Sequence, residues 1–150
     1  MSLHIRQATQ QDLPSVLQLY AQPSMDNGKV LSLQAATVHF ERFSAYPNYR
    51  LFVASDSMPE ATVIGTYALL VMHNLAHQGT PSAIVEDVVV SESHQSQGIG
   101  RDMMQHAMRQ AREAGCYKLV LSSNQQRERA HAFYESLGFA RHGYSFQIEM

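Results

Sequence analysis

Apolar residues recur along the chain with two different periods. Leu13, Val16, Leu17 and Tyr20 share one face at helical spacing. Thr9 precedes them, with Asp12 three residues on in a capping-box-like arrangement and Pro14 tolerated in the first turn. AQPSMDNGKVL (21–31) reads as a loop, marked by Pro23 and the Asn27-Gly28 pair. Ser32 caps a second predicted helix, with Leu33, Ala36, Thr37, Phe40 and Phe43 on one side. Strands are predicted at His4 to Ala8, Arg50 to Ala54, Thr62 to Met72 and Ala83 to Val90, the second and third antiparallel across the turn SDSMPEA. The Ala83 strand ends in a nearly all-β-branched run, as expected for a strand covered on both faces.

Helical spacing returns after Gly100. Met103, Met104, Ala107, Met108 and Ala111 face inward, Asp102, His106, Arg109 and Arg112 face outward, and Gly115 follows as a C-cap. Tyr117 to Ser122 forms another strand. Ala130, Phe133, Tyr134 and Leu137 give one more helical face, stopped by Gly138, and a last strand runs from about His142 to Glu149. The order predicts an α/β fold in one domain, 1–150: a mixed antiparallel and parallel central sheet flanked by helices.

Composition narrows the function classes. Lys plus Arg number 11 against 13 acidic residues, a formal charge of −2 with no basic stripe. Neither nucleic acid nor an anionic membrane surface is an expected partner. No segment reaches the roughly 18–20 apolar residues of a membrane span, and MSLHIRQAT has no apolar signal core. The single cysteine, Cys116, allows no intrachain disulfide, reads as a core thiol, and fits a cytoplasmic setting. His73 and His77 are four apart, but their surroundings read as a loop without a nearby carboxylate or cysteine, so no metal site is expected.

The stretch VVVSESHQSQGIGRDMMQ (88–105) carries the chemistry. A strand ends, a polar loop follows, and two glycines open a helix. A helix start exposes about four unpaired N–H groups and the positive end of the dipole, a ready anion seat. Glycine there lets a ligand approach the backbone. A dinucleotide fingerprint fails, because its third glycine would fall on Met103; a P-loop fails, because Arg101 and Asp102 follow Gly100. A tight turn with no ligand is the plainer alternative.

Q-x-x-G-x-G behind a valine-rich strand resembles the acyl-CoA-binding signature of the GNAT superfamily of N-acetyltransferases, with Gln95, Gly98 and Gly100 at the matching positions. AHAFYESLGF (130–139) resembles the superfamily's second motif, in which Tyr134 holds the key position. VEDVVV, GCYKLVLSS and FYESLGF are similar to the corresponding parts of glucosamine-phosphate N-acetyltransferases. One departure is Arg127, which stands where many members have asparagine; Asn124 is out of register.

The resemblance implies acetyl-CoA as co-substrate and a small-molecule amine as acceptor. It places the backbone of Val88 and Val90 against the pantetheine arm, and the amides of Gln97, Gly98, Ile99, Gly100 and Arg101 against the pyrophosphate. Arg101 or Arg127 would contact phosphates. A homodimer is an assembly compatible with it. Acetyl transfer needs a neutral amine, a donor for the oxyanion and a proton for the departing thiolate. Glu86 and Asp87 interrupt an apolar strand, where a carboxylate is costly unless paired or wet. Strand neighbours face opposite ways, so at most one should face the acyl group. Glu86 is preferred as base, because similar members use that position; a structural salt bridge is the alternative. Val88 N–H is the candidate oxyanion donor, and Tyr134 the candidate acid for the sulfur, unless it only packs. Loop 21–31, the second helix and the last strand are expected to hold the acceptor, with Tyr46, Tyr49 and Arg50 as candidate lining. A non-catalytic acyl-CoA sensor on the same fold is the alternative function.

Overall fold

The computed structural model describes residues 3–56 and 61–150. Strands β1 (Leu3–Gln7), β2 (Tyr49–Asp56), β3 (Val63–Met72), β4 (Ser82–Val90) and β5 (Leu119–Leu121) form one sheet in that spatial order. The first three pairings are antiparallel. β5 returns beside β4 after a helix: Tyr117 N–H donates to Pro81 O and Ala83 N–H to Lys118 O, so both strands advance together. The sheet is therefore mixed, as predicted. Residues 57–60 of the predicted SDSMPEA turn lie outside the described residues.

Four α-helices accompany the sheet: α1 (Leu13–Tyr20), α2 (Leu33–Phe43), α3 (Ile99–Glu113) and α4 (Glu128–Ser136). A short 3-10 turn, Gln10–Asp12, leads into α1. Asp12 anchors it: its buried carboxylate accepts from Thr9 N–H at 2.7 Å and from both Arg6 terminal nitrogens at 2.7 and 2.8 Å. The Arg6 hydrogen bonds hold that carboxyl below its ordinary range. Ser32 Oγ accepts from Ala35 N–H at 3.1 Å, confirming the predicted cap of α2. Gly115 and Gly138 take positive φ, +78° and +98°, just past the ends of α3 and α4.

The core lies between the sheet and its helices. Val53, Tyr67 and Leu69 of the sheet and Met103, Met104 and Ala107 of α3 are fully buried. One glycine makes the packing of α3 possible. A Cβ on Gly65 of β3 would meet Met103 Sδ at 2.9 Å and Ile99 Cγ2 at 3.3 Å. The bare backbone thus admits the first turns of α3 against the strand opposite Val90.

Contacts divide the chain into one unit ending at Val120 and a second, Leu121–Met150. The second holds the end of β5 and α4, with Tyr134 packed edge-on against Phe139. Three expectations change. The last strand does not form: residues 139–150 carry no regular structure, and Tyr144, Phe146 and Ile148 are 89%, 93% and 82% exposed. Alternation licenses a strand only where a neighbour completes the ladder, and the second unit contains no strand after β5. Cys116 is half-buried in the turn before β5, which begins only at Leu119, rather than in a core strand. His106, predicted outward, is half-buried, its Nδ1 2.6 Å from the Tyr67 hydroxyl.

Candidate functional site

The site is built around the second half of β4. Thr66 pairs with Val89 and Ala68 with Glu86, so Asp87 and Val88 together oppose Tyr67 alone. This is a β-bulge, with Asp87 at φ +54° in the left-handed region that aspartate tolerates. The alternation argument for Glu86 against Asp87 therefore fails locally: an extra residue resets which side chain faces which way. Both carboxylates are exposed to solvent.

The bulge gathers titratable groups from distant segments. Asp87, although reached by water, is crowded enough that desolvation and then the charge of Asp26 raise its carboxyl above the ordinary range. Burial pushes the Tyr20 phenol far up, and the charges of Asp87, Tyr49 and Asp26 push it the same way. Burial also raises Tyr49, with Asp87 and Glu86 adding to it. Loop 21–31, α1 and β2 thus converge on the carboxylates. Tyr49 stacks on Phe43 of α2 at 4.5 Å between ring centroids. Arg50, the next residue, points the other way, bonding Gln110 Oε1 of α3 at 3.1 Å. It does not line this side.

Beyond the bulge, β4 offers an open edge. Ser91 N–H donates to Ile64 O, which makes Val90 and Gly65 a non-hydrogen-bonded pair. The N–H and C=O of Val90 consequently point away from β3. On that side β5, three residues long, accompanies only the start of the nine-residue β4. Gln22, which sequence reasoning missed, spans this end: its side chain donates to Val90 O at 3.1 Å and accepts from Glu92 N–H at 2.8 Å. The Val90 carbonyl is thereby engaged within the protein.

The loop that follows contains the 3-10 turn Glu92–His94, then exposed Gln95, Ser96 and Gln97. Ser96 and Gly98 both take positive φ, +65° and +83°. Gly98 is the N-cap of α3 and has no side chain to satisfy the first-turn amides. Nothing lies within 4 Å of where its Cβ would be. Ile99 is buried and fixes the helix start, Gly100 is its second residue, and Arg101 is exposed. The result is an open space in front of bare helix N–H groups, which suits a diphosphate.

In the second unit, Tyr134 lies on α4, half-buried, and burial raises its phenol despite Arg127. A raised phenol stays protonated and can donate a hydrogen bond. Arg127 is the exposed N-cap of α4. Asn124 instead organises the approach to the helix: its Oδ1 accepts from Gln126 N–H at 2.9 Å, and its backbone oxygen from Arg127 N–H at 3.0 Å. Ser123 Oγ is buried without a hydrogen-bond partner, the one such side-chain atom among the described residues. An unpaired buried hydroxyl fits a place where a ligand completes the bonding.

A profile of the Acetyltransferase (GNAT) family matches residues 13–139. Over 92 residues the chain is 29% identical to glucosamine 6-phosphate N-acetyltransferase of Trypanosoma brucei brucei, covering 61% of this chain and 60% of that enzyme. It spans about three fifths of the length of the curated relatives it first matches. A solved structure of a candidate acetyltransferase from Agrobacterium tumefaciens str. C58 is 34% identical with a TM-score of 0.87, covering 98% of this chain and 99% of that one. A solved acetyltransferase of Trypanosoma brucei is 26% identical with a TM-score of 0.83, covering 99% and 100%. Because the match to the family profile runs over most of its length, the chain belongs to the GNAT acetyltransferase family.

Proposed function

We propose that this protein is one N-acetyltransferase domain, 1–150, that moves an acetyl group from acetyl-CoA to the primary amine of a small-molecule acceptor by direct attack in a ternary complex. The observation that carries this reading is the junction of β4 and α3. The end of β4, where the Val90 N–H points away from β3, leads through a short loop to a glycine-capped helix N-terminus with open space at Gly98. Such a track suits an extended arm that ends in a diphosphate.

Acetyl-CoA supplies a thioester whose acetyl group an amine can take. The amides of Gln97 to Arg101 hold the diphosphate, with Gln95, Arg101 and Arg127 available to its phosphates. Val88 and the outward N–H of Val90 align the arm, and Val88 N–H donates to the developing oxyanion. Glu86 takes the amine proton, directly or through water. Tyr134 gives a proton or hydrogen bond to the departing sulfur. Glucosamine 6-phosphate, named in the trypanosome relative, is one acceptor to assay.

The test is thiol release from acetyl-CoA over a panel of primary amines. Turnover with at least one amine is expected. Tight CoA binding without turnover on any amine would leave the sensor reading instead. Tyr134→Phe should lower kcat by about a hundredfold, within the range for losing a positioned acid, with the Kd for CoA unchanged. An unchanged kcat would remove Tyr134 from the reaction.

A further inference from the structure

The first unit contains a cavity of about 400 Å³ between α1, loop 21–31, α2 and β2. That volume suits a small ligand. Its walls are largely apolar, with Leu17, Phe40 and Phe43 among them, and its polar groups are the Tyr20 phenol, Asp26, Lys29 and His39. At its mouth Leu31 is 46% exposed, an apolar side chain that the fold leaves without cover.

Two observations join this cavity to the bulge on β4. Loop 21–31, which lines the cavity with Asp26, is tied to the end of β4 by the Gln22 hydrogen bonds to Val90 O and Glu92 N–H, and the charge of Asp26 is felt at Asp87. Tyr20 of the cavity wall also feels Asp87 and Asp26, and Phe43 of the wall stacks on Tyr49, which feels Asp87 and Glu86. A carboxylate, Asp26, therefore stands in a largely apolar chamber that also holds Lys29 and His39. A primary ammonium group belongs beside that carboxylate, where Asp26 and Asp87 offset its loss of water. What the chamber then encloses must be apolar. Sugar hydroxyls against Leu, Val and Phe walls would lose more hydrogen bonds to water than the few polar side chains of the lining can return, and a phosphate would find a single lysine, Lys29, and no arginine in the lining.

We infer that the acceptor is a primary amine on an apolar, alkyl or aryl-alkyl body, which fills the α1–α2 cavity and presents its ammonium to Asp26 and Asp87. This rests on the acetyltransferase reading above. Asp26 and Asp87 position the amine beside Glu86, and the cavity wall sets specificity. Neither Asp26 nor the cavity has a local signature in the sequence, since the wall is assembled from four separate segments.

The experiment compares phenethylamine, heptylamine and glucosamine 6-phosphate as acceptors, following thiol release from acetyl-CoA with the full chain. The apolar amines are expected to exceed glucosamine 6-phosphate in kcat/KM by about tenfold or more, the scale of discrimination an apolar pocket provides. Leu31→Glu, at the exposed mouth, should raise the KM for phenethylamine by about tenfold while leaving the KM for acetyl-CoA unchanged. Asp26→Asn should raise the KM of both apolar amines. Preference for glucosamine 6-phosphate, or a Leu31→Glu enzyme with unaltered amine KM, overturns the inference and leaves the acetyltransferase standing. Absence of turnover with every amine overturns both.

Discussion

The two ends of the second half of β4 are electrostatic opposites. At the bulge, Glu86 and Asp87 collect negative charge, with Asp26 close enough to disturb Asp87. Past Val90, the chain turns through Ser96 and Gly98 into the exposed amides of α3, the positive end of a fifteen-residue helix. The negative end is made of side chains drawn from far apart, and the positive end of main chain held by local geometry. One suits an ammonium ion and the other a diphosphate, so a single strand can orient two substrates of opposite charge along one line. The two ends should therefore fail independently.

The largest separation is expected from Glu86→Gln. If Glu86 takes the amine proton, kcat falls by about a hundredfold or more at neutral pH, while CoA affinity is unaltered. Equal rates for the two proteins would move the base elsewhere on the bulge. Next comes Gly98→Val. A β-branched residue at φ +83° is strained by about 1–3 kcal/mol, and its side chain occupies the space before the helix amides. Calorimetric titration should show CoA binding weakened by about ten- to a hundredfold, with the amine KM little changed. A loss confined to the amine would invert the proposed division.

The smallest effect is on stability. Desolvation and Asp26 raise the Asp87 carboxyl, so its charged form is disfavoured in the folded state. That penalty is fully present above the raised folded value and disappears as pH falls below the ordinary carboxylate value of about 3.9. Asp87→Asn keeps a residue that accepts positive φ. It should be more stable than the parent at pH 7 by well under about 1 kcal/mol given solvent screening, seen as a slightly higher melting temperature, and the gap should close near pH 3. A lower melting temperature at pH 7 would mean that the carboxylate is stabilised where it stands.

Legibility in the sequence followed the range of the forces involved. α3 was readable because Met103, Met104, Ala107 and Ala111 repeat at helical spacing and all are buried. The caps at Ser32, Gly115 and Gly138 were readable because capping is a contact over a few residues. The bulge was not: period-two reasoning assumes an unbroken ladder, and only the pairing with β3 shows that two residues oppose one. Gln22 could not be assigned either, because its partners lie 68 and 70 residues away. His106 belongs by spacing to the outer face of α3, yet the Tyr67 hydroxyl beneath it supplies a partner.

By itself the amino-acid order determined the succession of strands and helices as far as α4, the position of the glycine-opened helix, and the motifs shared with acetyltransferases. Those properties arise from neighbours within a few residues: apolar spacing, glycine's access to positive φ, and unpaired amides at a helix start. The tertiary structure alone decided which carboxylates stand together, which edge of β4 stays open, and that α1, loop 21–31, α2 and β2 enclose an apolar chamber. Charge coupling and cavity shape depend on distances through space, and folding sets those distances between segments that the chain keeps far apart.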